Sequence, residues 1–328
     1  MSSYSKFVAD IGGTHARFAL VDDDISHENS LVEMKVFKCA DFAGPAETVI
    51  AYQEHLGGRL PARACIAAAG PLDDGVVRFT NLDWRLSARE LQDALHLEQL
   101  ELLNDFAAVA YSVTALRDGD LHILHSGQPP TEGARTVLGA GTGLGVAALV
   151  NTIDQHTVMT SEAGHVRFAA ANAEQSAVLD YLLREHDYVS MEMLLAGPGI
   201  PRLYHALAAV NGLPAEPLDA KVITQLALAT TDLNCINTMA LYTQILAGFC
   251  AQLAMTFHAR GGVYLVGDIF RAMQPLLSSG EFVNDYLSAG PMAGLVEATP
   301  LSIVLTADPG LQGAAVRVKE LRRARVLD

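Results

Sequence analysis

The chain carries the same punctuation twice. In "KFVADIGGTHARFALVD" the short apolar runs Phe7 to Ala9 and Phe18 to Val21 flank a Gly12-Gly13 turn, which reads as strand, tight turn, strand. About 130 residues later "LGAGTGLGVAALV", Leu138 to Val150, sets glycines at 139, 141, 143 and 145 before a second apolar run. Each segment is a hairpin and not a strand-to-helix unit. A repeated hairpin of this kind argues for internal duplication of one α/β unit.

The glycine spacing excludes the two commonest nucleotide loops. A dinucleotide fingerprint needs G-x-G-x-x-G, or Ala in the last place, opening a helix. The last position of that spacing is Leu144 counted from Gly139, Val146 from Gly141 and Ala148 from Gly143. The nominal match at Ala148 falls in "VAALV", a strand. A Walker loop needs Gly-Lys, and the sequence has no such pair. What remains is a hairpin whose missing side chains let backbone N–H groups approach an anion, with Thr142 as a further donor. An ordinary tight hairpin is the alternative for one isolated cluster; two hairpins and a third glycine turn at Gly267 shift the balance toward phosphate.

The rest of the chain fits around these turns. "ARACIAAAGPLDDG" is a strand ending in a Gly-Pro turn, and "LSARELQDALH" is a helix with a Ser87/Glu90 capping box. "LELLNDFAAVAYSV" gives a buried strand, Leu100 to Leu103, then an Ala-rich helix for which Asp105 is a good N-cap. Residues 173 to 260 are mostly helical; the strands "VYLVGDIF" and "LSIVLTAD" and a final helix, "LQGAAVRVKELRRARV", follow. Trp84, the single tryptophan, reads as core, and the basic stretch Arg317 to Arg325 as a solvated helix face. Strands interleaved with helices over 328 residues argue for an α/β fold in two halves with a cleft.

Charge and cysteine usage narrow the partners. A net charge of −15 argues against nucleic acid and against anionic membrane, because polyanions need clustered cations. Cys39, Cys65, Cys235 and Cys250 contain no C-x-x-C pair, so buried thiols in a reducing cytoplasm are the simplest account. No charged start followed by an apolar targeting run is present, and the polar residues in "QILAGFCAQLAMTFHA" suit a core helix better than a membrane span.

Taken together, the motifs resemble those of bacterial glucokinases, members of the hexokinase, actin and heat-shock-70 ATPase superfamily. "ADIGGTHARFAL" is similar to the family's first phosphate loop, "GAGTGLGVA" to its second, and "GGVYLVGDI" occupies the adenosine-motif position. "LLNDFAAVA" resembles the catalytic segment, "SEAGHVRF" the sugar segment, and "MEMLLAGPGI" the segment giving a further sugar-contacting Glu; "FTNLDW" and "DPGLQGAAV" also fit. Two positions depart from the pattern: His15 where Asn is frequent, and Asp268 where the adenosine motif has a second glycine.

The resemblance implies a duplicated ribonuclease-H-like, actin-like ATPase fold, with a small domain of residues 1–109 plus 311–328 and a large domain of residues 110–310. It implies ATP and Mg²⁺, glucose as acceptor, a cytoplasmic enzyme and a homodimer. Phosphoryl transfer needs a proton acceptor beside the attacking hydroxyl, a role that falls to Asp105. Sugar contacts fall to Asn104, Glu162, His165 and Glu192, with Asn81 secondary. A carboxylate and an imidazole three residues apart can share paired hydroxyls. No cysteine follows His165 in "VRFAAANAEQSA", so zinc is not expected there. Nucleotide contacts fall to Asp10, Ile11, Gly12, Gly13 and Thr14, to Gly141, Thr142 and Gly143, and to Gly267. Asp10 is the Mg²⁺ residue, acting through water. Closure of the halves would exclude competing water. The alternatives are a kinase for another hexose and a sugar-binding sensor in which Asp268 impairs nucleotide use. A repressor-type DNA sensor has no room for a helix-turn-helix before the first loop.

Overall fold

The computed structural model describes residues 4–22, 31–79, 82–128, 133–151 and 156–321. The chain divides into two compact units, Met1–Arg117 with Thr152–Thr160 and Thr306–Asp328, and Asp118–Asn151 with Ser161–Leu305.

The first unit is built on a five-stranded sheet in the order Leu31–Lys38, His15–Val21, Lys6–Ile11, Arg63–Ala68, Gln99–Asn104. Lys6–Ile11 and His15–Val21 form the antiparallel hairpin that the Gly-Gly turn predicts. The next two strands run parallel to Lys6–Ile11, in a register that aligns Ile11 with Ala68 and Ala68 with Asn104. The carboxyl ends of three parallel strands therefore meet at one edge, where open α/β sheets bind their ligands. Phe7, Phe18, Val49, Tyr52 and Ile66 are fully buried beside this sheet, and the Phe18 and Tyr52 rings stack 4.9 Å apart. The helix Ala88–Leu95 starts from Ser87, whose hydroxyl accepts the Glu90 N–H, so that half of the predicted capping box forms. Glu90 turns its carboxylate to Arg85 instead. Trp84 is half-buried, packs against the same core and meets Phe79 edge-on.

The final helix, Pro309–Glu320, packs on the helix Asp105–Ser112. Gly313 makes the approach so close that a Cβ there would overlap the Ala108 carbonyl. The basic stretch beyond Leu321 lies outside the described residues.

The second unit repeats the plan. Leu144–Asn151 and Arg135–Ala140 form an antiparallel hairpin, and Gly262–Val266 then Leu301–Val304 continue parallel to Arg135–Ala140. Leu121–His125 adds antiparallel to Leu301–Val304. Helices supply the other layer, centred on Leu233–Thr256, which buries Tyr242, Leu246, Phe249, Cys250 and Leu253. Among the described residues this is the one helix long and apolar enough to cross a membrane, and 67% of its apolar window is buried in the protein, as a core helix requires. All four cysteines are buried and unbridged.

Candidate active site

The first unit gathers Asp10, Asn104 and Asp105 at the carboxyl edge of its sheet. Asp10 is pushed up to about 6, first by burial and then by the neighbouring Asp105 and Asp308 carboxylates, with Arg17 opposing them. Arg17 stands directly across the hairpin from Asp10 and pairs with Asp308 at 2.9 Å. Asp308 adopts a left-handed backbone, φ 50°, just before the final helix. That brings Gly310 against the Asp10 carboxylate. In the adjoining turn the Gly12 N–H donates to the His15 carbonyl at 2.9 Å, so it closes the loop. Cys39 buttresses this turn: its N–H donates to the Thr14 carbonyl and its thiol to the Gly12 carbonyl at 3.3 Å. Burial pushes that thiol up, as suits a packing group.

The helix after the third parallel strand corrects the capping expectation. Asn104, not Asp105, is the N-cap: its side-chain oxygen accepts from Phe106 N–H at 3.0 Å and Ala107 N–H at 3.3 Å, and its amide donates to the Gly70 carbonyl. Asp105 is the first helical residue, and its Oδ1 accepts the Phe106 N–H at 2.9 Å. The cap needs an acceptor one position before the helical backbone begins, and the strand runs through Asn104 to leave it there. Asn81 lies outside the described residues.

The second unit gathers the other candidates around its own hairpin. Glu162 precedes the single 3₁₀ turn Ala163–His165, so Glu162 and His165 project together. His165 Nε2 lies 3.8 Å from Glu162 Oε2, and its Nδ1 lies 3.7 Å from Glu192 Oε1. Glu192 sits on the short helix Met191–Leu195, capped by Ser190. Its Oε2 accepts the Leu144 N–H at 2.9 Å, on the far side of the Gly141–Gly143 turn. The Gly141 N–H closes that turn onto the Gly143 carbonyl.

Several residues that hold this arrangement escaped the sequence reading. The Tyr188 hydroxyl donates to the His165 carbonyl at 2.6 Å, and the Arg167 guanidinium lies 4.2 Å from the Tyr188 ring centroid. Gly164 abuts the Leu144 carbonyl closely enough to exclude any side chain. Gly197 donates to the Gly141 carbonyl at 2.8 Å. The signals were present as glycines inside "EAGH", "AGPG" and "DPG", but a glycine reports the need for close approach without naming what approaches.

Gly267 ends the strand Gly262–Val266 at φ 118°, and a Cβ there would fall 2.8 Å from the Ala140 carbonyl. Asp268 follows as the first residue of the helix Asp268–Ala272. Its carboxylate is almost fully exposed and ion-pairs with Arg271, which offsets its charge. The side chain thus turns outward from the glycine contact.

Comparison with known proteins places these features in one lineage. Residues 7–321 match the sequence profile of the glucokinase family. The glucokinase of Saccharophagus degradans is 35% identical over 321 residues, spanning 98% of this chain and 100% of the relative. That of Caulobacter vibrioides is 36% identical, spanning 97% and 96%. The crystal structure of a glucokinase from an Antarctic psychrotroph superposes with a TM-score of 0.88 at 35% identity, over 96% of this chain and 99% of that one. A glucokinase from Balamuthia mandrillaris solved with glucose shares the fold, with a TM-score of 0.77 at 24% identity over 95% and 92% of the chains.

Proposed function

The chain belongs to the glucokinase family, whose duplicated actin-like ATPase fold carries ATP-dependent phosphorylation of glucose, and from that premise we propose how its residues divide the work. Asp105 accepts the proton of the sugar C6 hydroxyl as that oxygen attacks the γ-phosphorus. The bond from phosphorus to the bridging oxygen breaks, and glucose 6-phosphate and ADP leave. Asn104 holds a neighbouring hydroxyl through the part of its amide that the cap leaves over. Glu162, His165 and Glu192 hold the remaining hydroxyls, with acceptors on both sides of an imidazole that suit a neutral ligand rich in O–H groups.

The phosphates fall to the two glycine turns. Gly12 and Gly141 contribute space there, because their N–H groups close their own loops. Gly13, Thr14, Thr142 and Gly143 are the proposed donors, Ile11 supports the first turn from the strand end, and Gly267 admits the nucleoside.

The donor chemistry at Asp10 fits Mg²⁺. A partly buried carboxylate raised by two neighbouring carboxylates and relieved by one guanidinium favours a further cation. Among the described residues no set of three or more His, Cys, Asp or Glu side chains is arranged to hold a metal. A hydrated ion held through one carboxylate and the nucleotide has no need of such a set. Mg²⁺ bound there would neutralise charge on the phosphate oxygens. We further propose a cytoplasmic location, which four unbridged thiols support, and a homodimer, which sedimentation would test.

The observation that carries the reading is the strand register that aligns the Asp10 edge of the sheet with Asn104 and Asp105. It is tested by coupled assay of the purified protein with MgATP and glucose, mannose or fructose. Turnover should be greatest with glucose; binding of glucose without turnover would remove the reading.

A further inference from the structure

We infer that Glu192 is a positioning residue for the second phosphate turn as well as a sugar contact, so that hexose and nucleotide bind with positive coupling. The inference rests on the proposed glucokinase site and concerns what links its sugar-binding and phosphate-binding parts.

Three ties fix the turn to the sugar segments. Glu192 Oε2 accepts the Leu144 N–H at 2.9 Å. Gly164, inside the Glu162–His165 segment, backs onto the carbonyl of the same Leu144. Gly197, at the end of the segment that carries Glu192, donates to the Gly141 carbonyl at 2.8 Å. The turn also leaves room for the carboxylate: a Cβ on Gly143 would stand 2.9 Å from Glu192 Oε2. Glu192 is the adjustable tie among the three, because the others are backbone contacts.

Its second oxygen is where the sugar acts. Oε1 faces His165 Nδ1 at 3.7 Å, longer than a hydrogen bond, and the Glu192 side chain is 31% exposed. Hydroxyls bridging Oε1 and the imidazole would fix the carboxylate rotamer and hold Oε2 on Leu144. A nucleotide arriving next finds its turn already ordered, which is positive coupling, and linkage makes the effect reciprocal.

The test is calorimetric titration of the full-length protein with the Mg²⁺ complex of adenylyl imidodiphosphate, with and without glucose at saturation for each variant. The wild type should bind the analogue roughly 5- to 100-fold tighter with glucose present. Glu192→Ala should bring that ratio close to one. Glu192→Gln, which keeps an acceptor for Leu144, should restore part of it even where glucose itself binds weakly. Gly143→Ala keeps every sugar-contacting side chain but pushes the carboxylate off Leu144, and should also lose the coupling. A wild-type ratio of one, or an undiminished ratio in Gly143→Ala, overturns the inference. Wild-type protein that binds neither ligand overturns the glucokinase site itself, a result distinct from two ligands binding without coupling.

Discussion

Gly310 stands against the carboxylate of Asp10, where a Cβ would come within 2.8 Å of Oδ2 and 3.0 Å of Cγ. The first turn of the final helix therefore sets the position of the proposed Mg²⁺ residue. Gly310→Ala should displace that carboxylate and lower kcat/KM for MgATP on the order of tenfold, a change of about 1.4 kcal/mol. The KM for glucose should hold, because its proposed ligands are untouched. Steady-state kinetics with each substrate varied in turn, alongside thermal melts, would check this; equal losses for both substrates would point to general misfolding.

The environment of Asp10 also sets a pH dependence. Burial and then the nearby carboxylates raise it from 3.8 to about 6, so the folded chain binds this proton more tightly than the unfolded chain. The contribution to stability is fully present below pH 3.8 and is lost as pH rises through about 6. For one group the loss amounts to about 3 kcal/mol at most. Asp10→Asn removes the ionisation, so in metal-free buffer the variant should gain on the wild type between pH 4.5 and pH 7.5 in urea unfolding. A constant difference across that range would contradict the assignment. Adding Mg²⁺ with nucleotide at pH 7.5 should stabilise the wild type more than the variant, by mass action on the folded state.

Asp105→Ala separates proton transfer from binding. Loss of a positioned base costs about 10²- to 10⁴-fold, and kcat should fall at least that far. The Kd for glucose should change by only a few fold, since Asn104 still caps the helix through Phe106 and Ala107 and keeps its place. Rapid-quench measurement of the chemical step would check this, and near-normal turnover would remove Asp105 from the mechanism.

The fold was legible because glycine turns between apolar runs leave few choices: both hairpins, the strands after them and the long core helix follow from pattern, while the parallel pairing of those strands is seen in the structure. Local chemistry was less legible. Asn104 and Asp105 are both good caps, and only the end of strand pairing at Asn104 decides which one serves. Glu192 looks like a helix-surface residue in sequence, yet it reaches back 48 positions to Leu144, a long-range contact that no periodicity encodes. Arg17 and Asp308 carry no signal of their own in the sequence; strand register and a left-handed residue set them around Asp10. Asp268 departs from the adenosine motif that the resemblance implies, and its outward side chain and Arg271 partner reduce the cost of that departure.

Tyr188 offers a test of how the proposed sugar segment is held. Its hydroxyl meets the His165 carbonyl, and the Phe168 N–H and Met191 N–H donate to the Val189 and Val166 carbonyls, so two short segments are clipped together. Tyr188→Phe deletes one hydrogen bond while keeping the ring under Arg167. A net loss of about 1 kcal/mol corresponds to a KM for glucose raised roughly fivefold. The kcat should stay within about twofold, because Asp105 is not involved. A change in kcat with KM unaltered would rule out the positioning role.

The final helix is anchored by charge as well as by shape. Arg317 Nε meets both oxygens of Glu101, at 3.0 and 3.1 Å, its guanidinium lies 5.4 Å from the Tyr111 ring centroid, and its side chain is only 17% exposed. Glu101 lies on the strand that ends at Asn104, so the pair ties the final helix to the element leading into Asp105. Glu101→Gln leaves Arg317 the longer Glu320 contact at 3.4 Å, and Arg317→Met leaves Glu101 poorly solvated, so each should lower stability by about 2 kcal/mol. The double variant strands neither member of this pair and should lose less than the sum, with an interaction energy of about 1 to 2 kcal/mol in a denaturant-unfolding cycle. Additive losses would mean that Arg317 acts through its contacts with Tyr111 and Glu320 rather than through Glu101. In that case helix-to-helix packing, and not the ion pair with Glu101, fixes the final helix beside Asp105, the proposed base.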